Sequence, residues 1–318
     1  MSPSSIEAIA PATSANLGAG FDVFGVALDS PLLFDRVLVE KIEDEGKIEI
    51  EVEGEGAEGV PREPERNTAG IVARELLRFS GRRHGLKIVV YKGIRPGSGL
   101  GSSAASAAAT AVAINELLNL KLSQSQLIDF AALGELASAG APHADNVSAA
   151  ILGDFIIITS REPLEVLKLK LPDNAEFAIV LPEIKVDTGL ARALLPKKVD
   201  LSSMVYNIGR AATFVAGIAL NNVEIMGRGM MDSVIEPARA PLIPGLSQVK
   251  ERALKAGAAG VAISGAGPSV IALVDSRKAR TETVAMAMKE AFEEVGIGSR
   301  PICARPGPGA KVIRREVE

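Results

Sequence analysis

Cysteine, histidine and tryptophan are nearly absent from this chain of 318 residues. It has one cysteine, Cys303, and two histidines, His84 and His143, and no tryptophan. A single cysteine excludes an intrachain disulfide, and the three residues together exclude a cysteine-rich or multi-histidine metal centre. Aromatic residues make up only 3% of the chain, whereas glycine occurs 31 times. This balance predicts binding through backbone-lined loops, with little aromatic stacking.

An excess of basic charge and long apolar runs are also missing. The net charge is −4, which argues against a nucleic-acid-binding protein, although a local basic patch around an anionic substrate is compatible with this total. The most apolar run, Ala104–Ile114, is too short to span a bilayer. The N-terminal residues lack the charged segment and apolar core of a secretory signal. We therefore expect a cytoplasmic enzyme with neither a membrane nor a nucleic-acid partner.

The length and composition predict a globular protein of two domains. Hydrophobic residues make up 47% of the chain and charged residues 23%, both ordinary values. A chain of 318 residues is long for one compact core, so two domains that share a cleft are expected.

One glycine- and serine-rich segment, Arg95–Ala105 (RPGSGLGSSAA), organises the chain. It lies between an apolar strand candidate, Leu86–Tyr91, and the alanine-rich helix candidate Ala104–Ile114. Its glycines allow backbone N–H groups to approach a ligand, and the start of a helix stabilises an anion. Ser102 and Ser103 add hydroxyl groups that can reach a phosphate oxygen or a metal ion. The segment predicts a triphosphate-binding loop, although a flexible loop with a serine helix cap is the alternative and no Walker A lysine follows the glycines.

Three segments occur together that resemble the three motifs of the GHMP kinases, the family of galactokinase, homoserine kinase, mevalonate kinase and phosphomevalonate kinase. They read PATSANLGAGFDVFG, PGSGLGSSAA and GVAISGAGPSVIALV, in the family's order, and the resemblance extends from about Ile6 to about Val274. The implied fold is α+β with two domains, a ribosomal protein S5 domain 2-like nucleotide-binding domain at residues 1–165 and a ferredoxin-like C-terminal domain at residues 166–318.

The resemblance implies a nucleotide site built on the central loop, with ATP and Mg²⁺ as cofactors. In the family, the second serine of the loop and a glutamate from a following helix complete the metal site, and the matching residues are Ser103 and Glu135. An asparagine near a helix start contacts the adenine, which matches Asn67, although Asn67 is equally suited to cap the helix candidate Ala69–Phe79. The implied cofactor-binding positions are Asn67, Arg95, Pro96, Gly97, Ser98, Gly99, Leu100, Gly101, Ser102, Ser103, Ala104 and Ala105.

The first motif most closely resembles that of the homoserine kinases, which implies an amino acid substrate. Asp22 then meets the substrate ammonium, and Asn16 offers both a donor and an acceptor. A His-Ala-Asp-Asn segment of that family lines the substrate pocket, and two arginines bind the substrate carboxylate with their planar guanidinium groups. The implied substrate-binding positions are Asn16, Asp22, His143, Asp145, Arg192 and Arg239.

The implied reaction is the ATP-dependent phosphorylation of L-homoserine in threonine biosynthesis. Asp145, Ser103 and Glu135 are the expected catalytic residues, and Asp145 either accepts the hydroxyl proton or only orients the substrate. The alternatives are another small-alcohol kinase such as mevalonate kinase, or a non-catalytic metabolite sensor. Homodimers occur in the family, so a homodimer is a possible state.

Three local expectations can be compared directly with the structure. Phe34–Ile42 and Lys47–Glu53 are expected to form a strand pair around residues 44–46. The polar segment Ser160–Pro172 is expected to lead into the second domain, and Arg239 is expected to lie in a proline-rich loop.

Overall fold

The computed structural model describes residues 3–139 and 144–317, with only the backbone described for residues 136–139. Within these ranges the strands are β1 Pro3–Asn16, β2 Gly20–Asp29, β3 Phe34–Ile42, β4 Ile48–Gly54, β5 Gly85–Lys92, β6 Phe155–Arg161, β7 Leu164–Leu169, β8 Ala175–Pro182, β9 Gly260–Ile263, β10 Val270–Asp275, β11 Ser299–Pro306 and β12 Lys311–Val317. The α-helices are α1 Thr68–Ser80, α2 Ser102–Leu117, α3 Gln124–Ala139, α4 Ala144–Leu152, α5 Thr188–Ala193, α6 Leu201–Ala219, α7 Val223–Arg228, α8 Ile235–Arg239, α9 Leu246–Lys255 and α10 Thr281–Glu294.

The strands form one hydrogen-bonded network. Its main path runs β4-β5-β3-β1-β2-β11-β8-β10-β9, while β12 pairs with β1, β6 with β2, and β7 with β6. The long strand β1 pairs with β3 over residues 5–11 and with β2 over residues 12–16. Through β11, which pairs with both β2 and β8, the N-terminal strands are joined to the C-terminal ones.

The expected pairing of β3 with β4 is wrong, because β5 lies between them. β5 is antiparallel to β3 and parallel to β4. Leu86, Ile88 and Val90 make β5 the most apolar of the three strands, and all three side chains are buried. A central strand is covered on both edges and is hidden from water, so the apolar strand takes that place even though β4 is nearer to β3 in sequence.

Helix α2 lies at the centre of the N-terminal half. It packs on β1 and β3 on one side and on α1 and α3 on the other. Its alanines, among them Ala104, Ala107 and Ala108, are completely buried. Because alanine carries only a methyl group, the helix can approach its neighbours closely, and the packing fixes the position of its first residue, Ser102.

A second apolar cluster lies between the C-terminal strands β8–β10 and the helices α9 and α10. The segment Ser160–Pro172, expected to lead into this half, contains the strand β7, which folds back as a hairpin on β6. The boundary between residues 165 and 166 stays a prediction. Across the described parts of the chain, no helix is both long and apolar enough to cross a membrane.

Candidate functional site

A cleft of about 480 Å³ lies beside the start of α2. It brings together most of the predicted site residues: Asn16, Asp22, Asn67, Pro96, Gly97, Ser98, Gly99, Gly101, Ser102, Ser103, Glu135, Asp145, Arg192 and Arg239. Four predicted cofactor positions are not among its lining, Arg95, Leu100, Ala104 and Ala105, and the last three have buried side chains in the core. His143 lies outside the described residues.

The three glycine-rich segments contact one another at the floor of the cleft. The backbone N–H of Thr13 donates to the carbonyl of Leu100 at 3.0 Å. The hydroxyl of Ser264 lies 2.7 Å from the carbonyl oxygen of Gly99 and 2.8 Å from the hydroxyl of Ser14. Segments separated by more than 80 residues in sequence therefore form a single backbone surface.

The central loop needs glycine for two separate reasons. Gly97 and Gly99 both have left-handed backbone angles, with φ of 70° and 78°, which other residues adopt only at a cost. At Gly99, a Cβ atom would also lie 2.5 Å from the carbonyl oxygen of Ser264 and 2.7 Å from that of Gly267. At Gly97 the nearest atom would be 3.9 Å away. The close approach of the third segment to the central loop thus excludes any side chain at Gly99.

This difference makes Gly97→Ala a matched control for Gly99→Ala. Both substitutions carry the left-handed strain of about 1–2 kcal/mol, but only Gly99→Ala forces two backbone segments apart. We expect Gly99→Ala to lower the free energy of unfolding by more than Gly97→Ala and to weaken nucleotide binding strongly. Urea denaturation and nucleotide-dependent thermal stabilisation measure the two effects, and equal losses in the two variants would contradict this account.

A buried ion pair lies beneath the loop. The Nζ of Lys92 donates to the carboxylate of Asp35, and both side chains are almost inaccessible to water. Lys92 also donates to the carbonyl of Ser102 and to the hydroxyl of Ser106, each at 2.9 Å. The other carboxylate oxygen of Asp35 accepts the backbone N–H of Ile94 at 3.1 Å. The pair therefore joins β3, the end of β5, the loop and the first turn of α2.

Sequence reasoning missed Lys92 and Asp35. The signal that could have identified Lys92 is a charged residue that ends the apolar strand β5 immediately before the glycines. A charge in that position must be either solvated or paired. Nothing in the local pattern around Asp35 indicated the partner, because 57 residues separate the two in sequence.

The two serines that begin α2 have different environments. The hydroxyl of Ser102 donates to the carbonyl of Ile94 at 2.7 Å, so it holds the loop closed. The hydroxyl of Ser103 is hydrogen-bonded to the carboxylate of Glu135. Of the two serines, Ser103 is therefore the one whose hydroxyl lies next to a carboxylate. Two oxygen groups that bind the same metal ion must lie close together in this way.

Glu135 reaches the cleft from α3, whose start is set by a reciprocal cap. The backbone N–H of Gln126 donates to the hydroxyl of Ser123, and the backbone N–H of Ser123 donates to the side chain of Gln126. This arrangement is a capping box, with Ser123 as the cap residue. Glu135 lies in the last part of the same helix and is buried.

Two acidic groups in the cleft have pKa values above the ordinary range of a carboxyl group. Burial raises the pKa of Glu135 to about 7, against the hydrogen bond from Ser103. Burial likewise raises the pKa of Asp145 to about 6, and the nearby charge of Asp22 adds to the increase. Negative groups held at this cost attract a cation.

The residues present fit Mg²⁺ held mainly by phosphate oxygens and water. Ser103 and Glu135 would supply oxygen ligands, which Mg²⁺ prefers. Among the described residues, no group of three or more histidine, cysteine, aspartate or glutamate side chains is placed to hold a metal ion. A site with few protein ligands is typical of Mg²⁺ bound together with a nucleotide.

Asn67 performs the capping role that the sequence allowed. Its side-chain oxygen accepts the backbone N–H of Ala69 at 2.8 Å, and its Nδ2 donates to the carbonyl of Pro61 at 2.6 Å. Asn67 also lines the cleft beside Val60 and Thr68. Its contact with an adenine stays a prediction.

At the other end of the cleft, Asp22 lies among basic residues. Its Oδ2 accepts a hydrogen bond from Arg192 at 2.8 Å. Asn16 uses its side-chain oxygen to accept the backbone N–H of Asp22 and its Nδ2 to donate to the carbonyl of Gly265. Arg239 donates to the same carbonyl at 2.9 Å. The first and third segments thus set the position of both an acidic and a basic group.

The expected loop around Arg239 is wrong, because Arg239 ends the short helix α8. The two carboxylate oxygens of Asp232 accept the backbone N–H groups of Val234 and Glu236 and so satisfy the start of this helix. Pro237 lies in the first turn, where proline is tolerated. Arg239 itself is buried.

Phe21 is a further cleft residue that sequence reasoning missed. The guanidinium carbon of Arg192 lies 5.8 Å from the centre of its ring, and that of Arg239 lies 5.3 Å away. Both distances are within the range of cation–π attraction. The ring of Phe21 therefore contacts both arginines. In the sequence, the only indication that Phe21 belongs to the site is its position next to Asp22.

Known proteins match this chain over both of its halves. Residues 67–154 match the family model described as GHMP kinases N terminal domain, and residues 214–294 match GHMP kinases C terminal. The chain is 46% identical to homoserine kinase of Methanocella arvoryzae over 314 residues, 99% of each chain. It is 43% identical to homoserine kinase of Halorubrum lacusprofundi over 96% of this chain and 98% of that one.

Solved structures are similar over nearly the whole chain. The crystal structure of homoserine kinase from Cytophaga hutchinsonii is 40% identical, with a TM-score of 0.92 and 98% of each chain covered. Mevalonate kinase from L. major in complex with R-mevalonate has a TM-score of 0.71 at 14% identity, covering 97% of this chain and all of that one. At that identity the similarity concerns the fold alone.

Proposed function

The chain belongs to the GHMP kinase family and, within it, to the homoserine kinases, and from this premise we propose that it transfers the γ-phosphoryl group of ATP to the hydroxyl of L-homoserine. The product is O-phospho-L-homoserine, used in threonine biosynthesis. The predicted α+β two-domain GHMP kinase fold is confirmed by both family models and by the structural match to homoserine kinase. A homodimer and a cytoplasmic location stay predictions.

The observation that carries the substrate assignment is that Asp22 lines the same end of the cleft as two arginines, Arg192 and Arg239. Asp22 would bind the ammonium of the amino acid, and Arg192 and Arg239 would bind its carboxylate. Arg192 is hydrogen-bonded to Asp22, and binding of the substrate zwitterion would exchange this bond for two others. The substrate ammonium would bind Asp22, and the substrate carboxylate would bind Arg192. A substrate with a carboxylate but no ammonium would bind Arg192 but would offer Asp22 no positive group in its place.

The nucleotide would lie along the glycine loop at the other end. Backbone N–H groups of residues 97–103, at the start of α2, would hold the phosphates, and Asn67 would contact the adenine. Ser103 and Glu135 would hold Mg²⁺, which when bound neutralises charge on the β- and γ-phosphates. Phosphoryl transfer depends mainly on such positioning and charge neutralisation.

Asp145 would lie beside the attacking hydroxyl. One of its carboxylate oxygens accepts the backbone N–H of Asn146 at 2.7 Å, which fixes the direction of the side chain. Asp145 would either accept the hydroxyl proton or only orient the substrate. If Asp145→Asn keeps nearly normal turnover, the base role is wrong, because an amide cannot accept that proton.

The test of the proposed function is ADP release with Mg-ATP against L-homoserine, mevalonate, galactose and no acceptor. We expect rapid release with L-homoserine only, because only that acceptor offers both an ammonium and a carboxylate. Release with mevalonate instead would keep the phosphate site and overturn the substrate assignment. Binding of ATP without release on any acceptor would favour a metabolite sensor.

A further inference from the structure

Arg161 is a second arginine that contacts Asp22, in addition to Arg192. It is the last residue of β6, and its Nη2 donates to the backbone carbonyl of Asp22 at 2.8 Å. The same nitrogen lies 3.6 Å from Oδ2 of the Asp22 carboxylate, and 52% of the Arg161 side chain is exposed. No glycine-rich segment includes this residue.

The backbone of Asp22 is in a conformation that its surroundings must maintain. Its φ is 58°, in the left-handed region that aspartate adopts only at a cost. The N–H of Asp22 is held by the side chain of Asn16 at 3.0 Å, and its carbonyl is held by Arg161. Both backbone polar groups of Asp22 are therefore fixed by side chains, and together these bonds set the direction of the carboxylate.

Arg161 and Arg192 differ in what they can do during substrate binding. Arg192 comes from α5 and is one of the two arginines assigned to the substrate carboxylate, so it must exchange partners. Arg161 comes from β6 and holds the backbone of Asp22, a contact that no substrate group replaces. Its 3.6 Å separation from the carboxylate is longer than a hydrogen bond, so Arg161 itself takes up none of the hydrogen-bonding positions of the carboxylate.

We propose that Arg161 is a positioning residue for the ammonium of the substrate, because it holds the main chain of Asp22 in the conformation that points its carboxylate into the cleft. The proposal rests on the proposed function, since it requires an acceptor with an ammonium group. Arg161 does not touch the substrate and acts only through Asp22.

The test compares Arg161→Ala with wild type, using L-homoserine and 4-hydroxybutyrate. The second compound has the same hydroxyl and carboxylate but no ammonium, and its inhibition constant is measured against L-homoserine. We expect KM for L-homoserine to rise about tenfold, as for loss of one charge-assisted hydrogen bond. KM for Mg-ATP, the inhibition constant of 4-hydroxybutyrate and the melting temperature should change little.

Arg305→Ala is the matched control. Arg305 is also an exposed arginine on a strand, but it donates to Glu176 and not to Asp22, so KM for L-homoserine should stay at the wild-type value. An unchanged KM in Arg161→Ala overturns the proposal. An equal rise in KM and in the inhibition constant of 4-hydroxybutyrate also overturns it, because Arg161 would then act on the carboxylate or on the whole pocket. Failure of the proposed function would give a different result from failure of this proposal, because the wild-type protein itself would then not phosphorylate L-homoserine.

Discussion

Replacing Glu135 with glutamine is expected to lower kcat/KM for Mg-ATP by a factor on the order of 10² to 10³, the size of effect seen when one preorganised electrostatic group is removed from a reacting centre. Glutamine keeps the shape of the side chain and an oxygen that can accept the hydrogen bond from Ser103. It lacks the negative charge that Mg²⁺ requires. Steady-state ADP release at varied Mg²⁺ and ATP concentrations measures the loss.

Asp129→Asn is the matched control for this substitution. Asp129 lies on the same helix, α3, but it is exposed and does not line the cleft. Its replacement should leave kcat/KM unchanged. If Glu135→Gln retained wild-type activity at low Mg²⁺ concentration, Glu135 would not be a metal ligand.

The same substitution is expected to preserve or increase the stability of the metal-free protein. The pKa of Glu135 is raised from an ordinary 4.5 to about 7 by burial. Between these values the folded state binds more protons than the unfolded state, so stability is lost as pH rises from about 4.5 to about 7. Glutamine does not titrate, so at pH 8 the variant should melt at the same or a higher temperature without metal. Thermal unfolding with a chelator measures this, and a clearly lower melting temperature would contradict it.

Replacing Asp35 with asparagine is expected to lower the free energy of unfolding by about 3–5 kcal/mol, as when one partner of a buried ion pair is removed. Lys92 would lose the carboxylate that pairs with it in a site where almost no water reaches it. An amide can still accept the backbone N–H of Ile94, but its NH₂ group cannot neutralise the ammonium. Nucleotide binding should weaken as well, because Lys92 anchors the first turn of α2 through the carbonyl of Ser102.

Urea denaturation measures the loss of free energy of unfolding in Asp35→Asn, and Glu51→Gln is the control variant. Glu51 pairs with Lys87, which lies on the same strand as Lys92, but this pair is on the solvent side. An exposed ion pair contributes little, so the control should unfold like wild type. A loss in Asp35→Asn no larger than that in Glu51→Gln would show that the buried pair does not hold the loop in place.

Much of the candidate site could be predicted because its signals are local. A run of glycines next to an apolar strand and an alanine-rich helix indicates an anion-binding turn at any place in a fold. The strand Leu86–Tyr91 and the helix Ala104–Ile114 were predicted nearly at their observed bounds. The roles of Asn16, Asp22, Arg192 and Arg239 came from resemblance, and the structure places all four in one cleft, while their contacts with substrate stay predictions.

By itself, the sequence determined the family and the α+β fold through its resemblance to the three GHMP kinase motifs. It also determined the loop that begins α2 through the glycines, whose left-handed freedom depends only on the residue itself and its neighbours. Only the tertiary structure decided that β5 separates β3 from β4, that Lys92 pairs with Asp35, and that Arg161 holds Asp22. These partners are distant in sequence, and each depends on which surfaces are buried when the whole chain packs. Burial sets both the order of the strands and the cost of an uncompensated charge, and neither can be read from a local pattern.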